Sequence, residues 1–182
     1  MSRKLLDPTL DVVFKLMLLR EQALLRHMIE AALRLERPIA ELEVLNPEIP
    51  IDFPGDKSVS LDIRARLDDG HQIDLEMQST APEGTAARFL YYWAKGFADS
   101  LTAGQDYRAL RPCISILWLK APLFEATRFH SVFHLSEDHS RQIFAREIEF
   151  HVLELSRLHL AVSEGEAKLE RWARFFVAQN VE

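Results

Sequence analysis

The chain's hydrophobic positions change period several times, and each change marks an element. Residues 7–19 and 21–35 repeat their apolar side chains at helical spacing. The second stripe is the stronger, with Leu24, Leu25, Met28, Ile29, Ala32 and Leu33 on one face. Asp7 or Thr9 is the expected cap of the first helix, with Pro8 tolerated near its start, and Pro38 follows the second helix. Period-two alternation then predicts strands near 41–46, 59–67 and 71–78. A long helix is expected over 83–103, and the unbroken apolar run Cys113–Leu119 predicts a central strand. Residues 129–135 and 147–155 alternate as further strands. Ser163 and Glu166 stand at capping-box spacing before a last helix marked by Leu169, Trp172, Phe175 and Phe176. Residues 47–57, with Pro47, Pro50, Pro54 and Gly55, read as an irregular loop. No repeat, linker or low-complexity tract interrupts this order. The expectation is an α/β fold, one domain over residues 1–182 with a mixed central β-sheet flanked by helices.

The stretch from Ser60 to Gln78 says most. Leu61, Ile63, Ala65 and Leu67 alternate with Ser60, Asp62, Arg64 and Arg66. Beyond a turn, Ile73, Leu75 and Met77 alternate with Asp74, Glu76 and Gln78. Facing residues of a hairpin share one side of the sheet, so apolar must meet apolar. A two-residue loop at Asp69-Gly70 would set Asp62 against Met77 and scramble both faces. A three-residue loop, Asp68-Asp69-Gly70, with Gly70 in the left-handed region, keeps them separate. That register sets Leu61 against Met77, Arg64 against Asp74 and Asp62 against Glu76. Arg64 and Asp74 read as a cross-strand ion pair. Asp62 and Glu76 are like charges with Cβ atoms roughly 5 Å apart, an arrangement that destabilises a sheet.

Two carboxylates held so close must share a proton or share a cation. A hard divalent ion relieves the repulsion, since Mg²⁺ takes one or two carboxylates and keeps waters for its other positions. Gln78 points to the same face as Glu76 and can orient a water or a phosphate oxygen. The plainer alternative, a solvated outer face whose charges happen to align, stays open on spacing alone.

Leu61-Asp62-Ile63 with Ile73-Asp74-Leu75-Glu76-Met77-Gln78 resembles the active-site hairpin of the PD-(D/E)XK nuclease family transposases, also described as recombination-promoting nucleases. Asp11-Val12-Val13-Phe14-Lys15 resembles that family's opening helix, and Val44-Leu45-Asn46-Pro47-Glu48 its entry to the first strand. Tyr91-Tyr92 and Gly104-Gln105-Asp106-Tyr107 resemble the helix after the hairpin and its exit. Leu153-Glu154-Leu155-Ser156-Arg157-Leu158, followed by Trp172, is similar to a late family stretch, with Arg157 where Lys is usual. The resemblance runs in order through nearly the whole chain. It implies a restriction-endonuclease-like core and Mg²⁺-dependent DNA cleavage, with Mn²⁺ as a substitute ion. It also implies that Asp62 and Glu76 are metal ligands, joined by the Met77 carbonyl. Gln78 stands where the wider superfamily has Lys, although Glu-x-Gln is usual in this branch. A lysine supplies positive charge near the attacked phosphate, whereas Gln supplies neutral hydrogen bonds. Either the metal does more of the electrostatic work or another cation substitutes.

The next helix offers such a cation. Arg88, Tyr91, Tyr92 and Lys95 fall on a single helical face and form a candidate DNA-binding stripe. Leu90, Trp93, Ala94, Phe97 and Leu101 form the adjacent face expected to pack on the sheet. The bland alternative is an ordinary amphipathic helix with half-buried aromatics. Lys15 is a second candidate donor, and Asp11, one turn earlier, a candidate accessory acid.

Composition narrows the partners. The net charge of −6 argues against strong nonspecific DNA affinity and predicts weak, salt-sensitive binding through a local basic face. The lone Cys113 excludes a disulfide framework and suits a reducing compartment; no cationic neighbour marks it as a nucleophile. No secretory segment or membrane-length apolar run is visible, so a cytoplasmic protein without a membrane partner is expected. Seven histidines invite a zinc reading. His130 and His134 are spaced too far apart along a strand to chelate readily, and only a loop gathering His134, Asp138 and His139 would serve. A Gly-x-Ser-x-Gly elbow, a dinucleotide-binding glycine turn and a P-loop are all missing from the sequence.

The expected function is therefore Mg²⁺-dependent hydrolysis of DNA phosphodiesters, with Asp62, Glu76 and Gln78 as the catalytic set. The main alternative is a catalytically silent, transposase-derived DNA-binding or protein-interaction module. A third is an assembly protein using the last helix as a partner surface, which exposure of Trp172 and Phe176 would favour. Homodimerisation stays open.

Overall fold

A computed structural model gives the structure and describes residues 6–49, 59–125, 128–160 and 165–178. Helices α1 (Asp11–Arg20) and α2 (Gln22–Leu33) come first. Strands β1 (Leu42–Leu45), β2 (Glu48–Ile49), β3 (Val59–Ser60), β4 (Ile63–Leu67) and β5 (Gln72–Gln78) follow. Helix α3 (Thr85–Asp99) leads to β6 (Cys113–Leu119), β7 (His130–Ser136) and β8 (Ile143–Glu154), and α4 (Ala167–Val177) ends the described fold. Six strands form one mixed sheet in the order β1-β4-β5-β6-β8-β7, while β2 and β3 pair separately. β5, β6 and β8 are parallel to one another, and the other pairings are antiparallel. The fold is thus a mixed α/β sheet flanked by helices, as the periodicities predicted. Among the described residues no helix is long and apolar enough to cross a membrane.

Alternation sorts the sheet into two unlike faces. Ile63, Ala65, Leu67, Ile73, Leu75, Met77, Ile116 and Trp118 point to one side, where they meet Phe14, Leu18, Leu25, Met28 and Ile29 from α1 and α2 and Leu169, Ala173 and Phe176 from α4. The other side carries Leu117, Leu119 and Val152 against Phe89 of α3, together with the charged residues of the hairpin. A single chain therefore builds a mostly apolar layer under three helices and a more polar layer under one.

The hairpin register is the one derived from the turn: Arg64 faces Asp74 and Ile63 faces Leu75. Gly70 adopts φ +88°, and the Leu67 amide donates to His71 carbonyl oxygen at 2.9 Å, closing the three-residue loop. Several expectations need correction. The strand expected over 59–67 is broken at Leu61-Asp62, with its first two residues pairing instead with Glu48–Ile49. Part of the expected loop is therefore strand, and residues 50–58 lie outside the described residues. Asp7 does not cap α1; its carboxylate takes the Thr9 amide at 2.9 Å and the Thr9 hydroxyl at 2.6 Å, and Leu10 holds the cap position. The expected capping box falls partly on residues outside the described set, and Glu166 makes no cap hydrogen bond.

Two packing expectations also change. α3 turns Thr85, Phe89 and Gly96 to the sheet, with Trp93 half-buried, while Leu90 is 50 % exposed and Ala94 lies on the surface. Trp172 and Phe176 are buried, Phe176 against Trp118 with ring centroids 5.0 Å apart, so the last helix covers the core and does not offer those aromatics to a partner.

A buried polar chain ties α2, α4 and the sheet edge together. Glu166 pairs with Arg34 and faces His130 Nδ1 at 2.6 Å; His130 Nε2 faces His151 Nδ1 at 2.9 Å; and His151 Nε2 faces Glu149 Oε1 at 2.5 Å. Burial and the neighbouring His151 push the His130 pKa down to about 4.

Candidate active site

Asp62 and Glu76 meet where the hairpin ladder ends, beside the carboxyl ends of the parallel strands β5 and β6. Open α/β sheets place their ligands at such ends. Asp62 lies just before β4, outside the backbone ladder. Side chains continue the pairing that the backbones abandon. The Asp62 amide donates to Glu76 Oε1 at 3.0 Å, and the Met77 amide donates to Asp62 Oδ2 at 2.9 Å. Each carboxylate is thus aimed by the opposite strand's main chain. The lateral position of both acids is set by backbone, so their orientation costs little further entropy.

The free sides of the acids meet one cation and one amide. Lys15 Nζ lies 3.0 Å from Asp62 Oδ1 and 2.9 Å from Asp11 Oδ1, so α1 delivers an ammonium held between two acids. Asp11 is one turn before Lys15 on α1, which explains why both arrive together. Glu76 Oε2 accepts from Gln78 Nε2 at 3.2 Å, and Gln78 Oε1 accepts from Arg88 Nη2 at 3.0 Å. Gln78 therefore turns its amide so that one end holds Glu76 and the other holds the guanidinium of α3.

Electrostatics mark the pair as under-neutralised. Burial raises the Glu76 pKa to about 8, and the nearby Asp62 charge adds to the rise. Burial also raises Asp62, against the Met77 amide and Lys15, which pull it down. Two hydrogen-bonded, desolvated carboxylates that resist ionisation suit a hard cation. The donor set of two carboxylates fits Mg²⁺ or Mn²⁺ with waters completing the shell. Among the described residues no group of three or more His, Cys, Asp or Glu gathers as an ion site. The Met77 side chain points to the apolar core, and its amide is engaged with Asp62.

The candidate DNA-contacting residues separate. Arg88 reaches the site through Gln78, and its guanidinium carbon also lies 5.0 Å over the Phe89 ring. Tyr91, 37 % exposed, and Arg88 line an open cavity of 470 Å³ with Pro82, Glu83 and Gly84. Tyr92 lines it too, but half-buried and packed on Ile49 and Leu61. Lys95 is half-buried further along α3.

One expectation of the sequence reading fails here, and it uncovers a third acid. Arg64 does not pair with the facing Asp74. Its Nη2 reaches Asp99 Oδ2 at 3.1 Å and Gln72 Oε1 at 3.0 Å. Asp74 sits 2 % exposed; among the described residues its Oδ1 has no partner and its Oδ2 accepts only from the Cys113 thiol at 3.6 Å, and burial raises its pKa to about 6. Asp99 lies on the helix, beyond any cross-strand argument. The alternation alone could have placed Asp74 on the same face as Glu76. Cys113 is buried and its thiol pKa is pushed well up by burial and by Asp74, which suits an inert thiol.

The geometry can be set beside known proteins. No curated protein and no solved structure matches the chain. A family model described as "PD-(D/E)XK nuclease family transposase" does match, over residues 8–182, and the chain therefore belongs to this nuclease-like, transposase-related family.

Proposed function

We propose that this chain is a divalent-metal-dependent DNA endonuclease, acting as one nuclease-like domain over residues 1–182, with Asp62 and Glu76 as its metal ligands. The family and the helix-flanked mixed sheet are consistent with a restriction-endonuclease-like core, and nucleases of this type generally use divalent metal ions. One observation carries the finer reading: the hairpin aims a buried carboxylate, Glu76, and a partly buried one, Asp62, at each other's strand and leaves both resisting ionisation. The bound ion would acidify a water and stabilise charge on the attacked phosphate. The protein's own groups supply the rest. Gln78, held by Arg88, would orient the water or a phosphate oxygen. Lys15 supplies the positive charge that Gln78 lacks, reaching the site from α1 where the superfamily places a lysine on the strand itself. Arg88 would face the phosphate from α3, with Tyr91 beside it.

The test is plasmid nicking across a metal series. Wild-type protein should nick only with Mg²⁺ or Mn²⁺, and Asp62→Ala, with its circular dichroism and melting intact, should lose all detectable nicking. Unchanged cleavage in that variant removes Asp62 from the reaction. Lys15→Met should lower the rate about 100-fold, the scale of losing one charged stabiliser of the transition state.

A silent module is the second reading, and Lys15 is the observation that favours it. An ammonium already lies on Asp62 Oδ1, so the protein has its own partial counter-charge. A silent module would bind no Mn²⁺ at the hairpin.

A further inference from the structure

At the opposite end of the same hairpin lies a cavity that the nuclease site does not use. It holds 620 Å³ and is lined by Arg64, Arg66 and Gln72 of the hairpin, Arg111 before β6, and Asn46 and Gln105 from flanking loops, among others. Arginines converge here from separate segments of a chain whose net charge is −6. Asp99 neutralises Arg64, which leaves Arg66 and Arg111 against Glu48 as the remaining charged residues of the lining.

Each arginine is held in a different way. Arg64 is 6 % exposed, pinned by Gln72 and Asp99, and its Nε is buried with no hydrogen-bond partner. Arg111 turns Nη1 onto the carbonyl oxygens of Arg108, Ala109 and Leu110, at 3.2, 3.4 and 3.1 Å. Those partners are neutral, so the guanidinium keeps its full charge, and it is braced on the surface. Among the described residues Arg66 pairs only with Glu43, at 3.2 Å, which is itself 63 % exposed, a solvent-screened contact an anion could displace. Gly70 completes the arrangement: a Cβ there would lie 3.1 Å from Arg111 Cγ, so the bare turn lets that side chain fold over the hairpin tip.

We propose that this cavity binds a phosphate group. Guanidinium forks match phosphate oxygens bidentately, and the polar amides around them supply further donors. Gln72 and Glu76 are neighbours on one strand face, four positions apart, about 13 Å at the usual rise. A DNA strand advancing about 3.4 Å per phosphate along the axis would span that in roughly four steps. Asp74 lies between Gln72 and Glu76 beneath Gly96 of α3, so a DNA strand reaching both would pass around that helix, and the cavity would take a backbone phosphate beyond the cleaved one. This assignment of the source rests on the endonuclease reading; the phosphate chemistry does not, because a free nucleotide would use the same arginines.

The experiment uses the full chain, without divalent metal, so that binding is read apart from cleavage. Arg66→Gln and Arg111→Gln, both at exposed positions, are made singly and together, with melting curves to verify folding. Duplex oligonucleotide binding is measured across salt concentration, and thymidine monophosphate and inorganic phosphate are titrated separately. If the phosphate belongs to DNA, each substitution should flatten the dependence of log K on log salt by about one. If it belongs to a free nucleotide, the slope should stay unchanged while wild-type protein binds thymidine monophosphate and the double variant does not. Unchanged slopes together with no monophosphate or phosphate binding by wild-type protein would overturn the proposal. In an Asp62→Ala background the two arginine substitutions should flatten the slope by the same amount. Loss of nicking in a protein that retains this arginine dependence therefore separates the two sites, and a flat metal series with arginine-dependent binding would sink the nuclease reading alone.

Discussion

A carboxylate with a pKa near 8 is an expensive residue to keep inside a protein, and Glu76 is one. In the metal-free chain its folded pKa lies above the unfolded value of 4.5, so the folded state holds its proton longer. Stability is then fully present below about pH 4.5 and is lost progressively as pH rises through about 8. Glu76→Gln removes that penalty and keeps an acceptor for the Asp62 amide. The variant should unfold at higher denaturant than wild type at pH 8, by on the order of 2 kcal/mol, with the gap closing toward pH 4.5. Denaturant melts of both proteins across that range are the check, and equal midpoints at pH 8 would mean that the acid is not strained. Residue identities on the hairpin face were legible in sequence because alternation is strict from Ser60 to Gln78. The partners of Lys15 and Arg64 were not. Lys15 reaches Asp62 from another element, and Asp99 is 35 residues from Arg64, so only the assembled fold brings them together.

At the scale of elements, the hairpin was readable because its turn and its alternation give the same answer. Gly70 is required by its positive φ, and an added Cβ would also press on the Arg111 side chain at 3.1 Å. Gly70→Ala should cost about 1–3 kcal/mol in a denaturant melt, where a helix-surface Gly→Ala change would be neutral or stabilising. The break at Asp62 was not readable. It comes from the acids themselves, since each carboxylate takes a main-chain amide of the other strand's end. The packing face of α3 is ambiguous in sequence for a different reason. Phe89, Leu90, Tyr91, Tyr92, Trp93 and Phe97 surround much of the helix, so hydrophobicity alone leaves its orientation ambiguous. The buried positions Thr85, Phe89 and Gly96 settle it, with Gly96 set over Asp74, where an added Cβ would make an ordinary contact 3.6 Å from Oδ2. The same ambiguity affected α4, whose aromatics fit a core or a partner equally well. Phe176→Ala should therefore destabilise the protein by about 3–5 kcal/mol without changing its oligomeric state, as expected for a wholly buried ring.

Across the whole molecule, two polar systems occupy opposite sides of the sheet and respond oppositely to acid. The acids under α3 lose a penalty as they protonate. The chain from Arg34 through Glu166, His130 and His151 to Glu149 does the reverse. His130 is held at about 4, below its ordinary 6.5, so the unfolded chain binds the proton first and stability falls as pH drops from about 6.5 to about 4. His130→Asn should be less stable at neutral pH yet lose this acid sensitivity, and comparing its melts with wild type isolates the effect from the opposing carboxylates. Because this network joins α2, α4 and the sheet edge, its acid weakening should loosen α4 first, visible as a change in Trp172 fluorescence near His27.

The central claim is that a divalent ion belongs between Asp62 and Glu76, and calorimetric titration of Mn²⁺ at pH 7 addresses it directly. With Glu76 held near pKa 8, most metal-free molecules carry a proton there, and the ion must displace it. Titrations in buffers of different ionisation enthalpy should give one binding event that releases close to one proton and is abolished in both Asp62→Ala and Glu76→Gln. Binding without proton release that persists in both variants, or no binding by wild-type protein, would contradict the account.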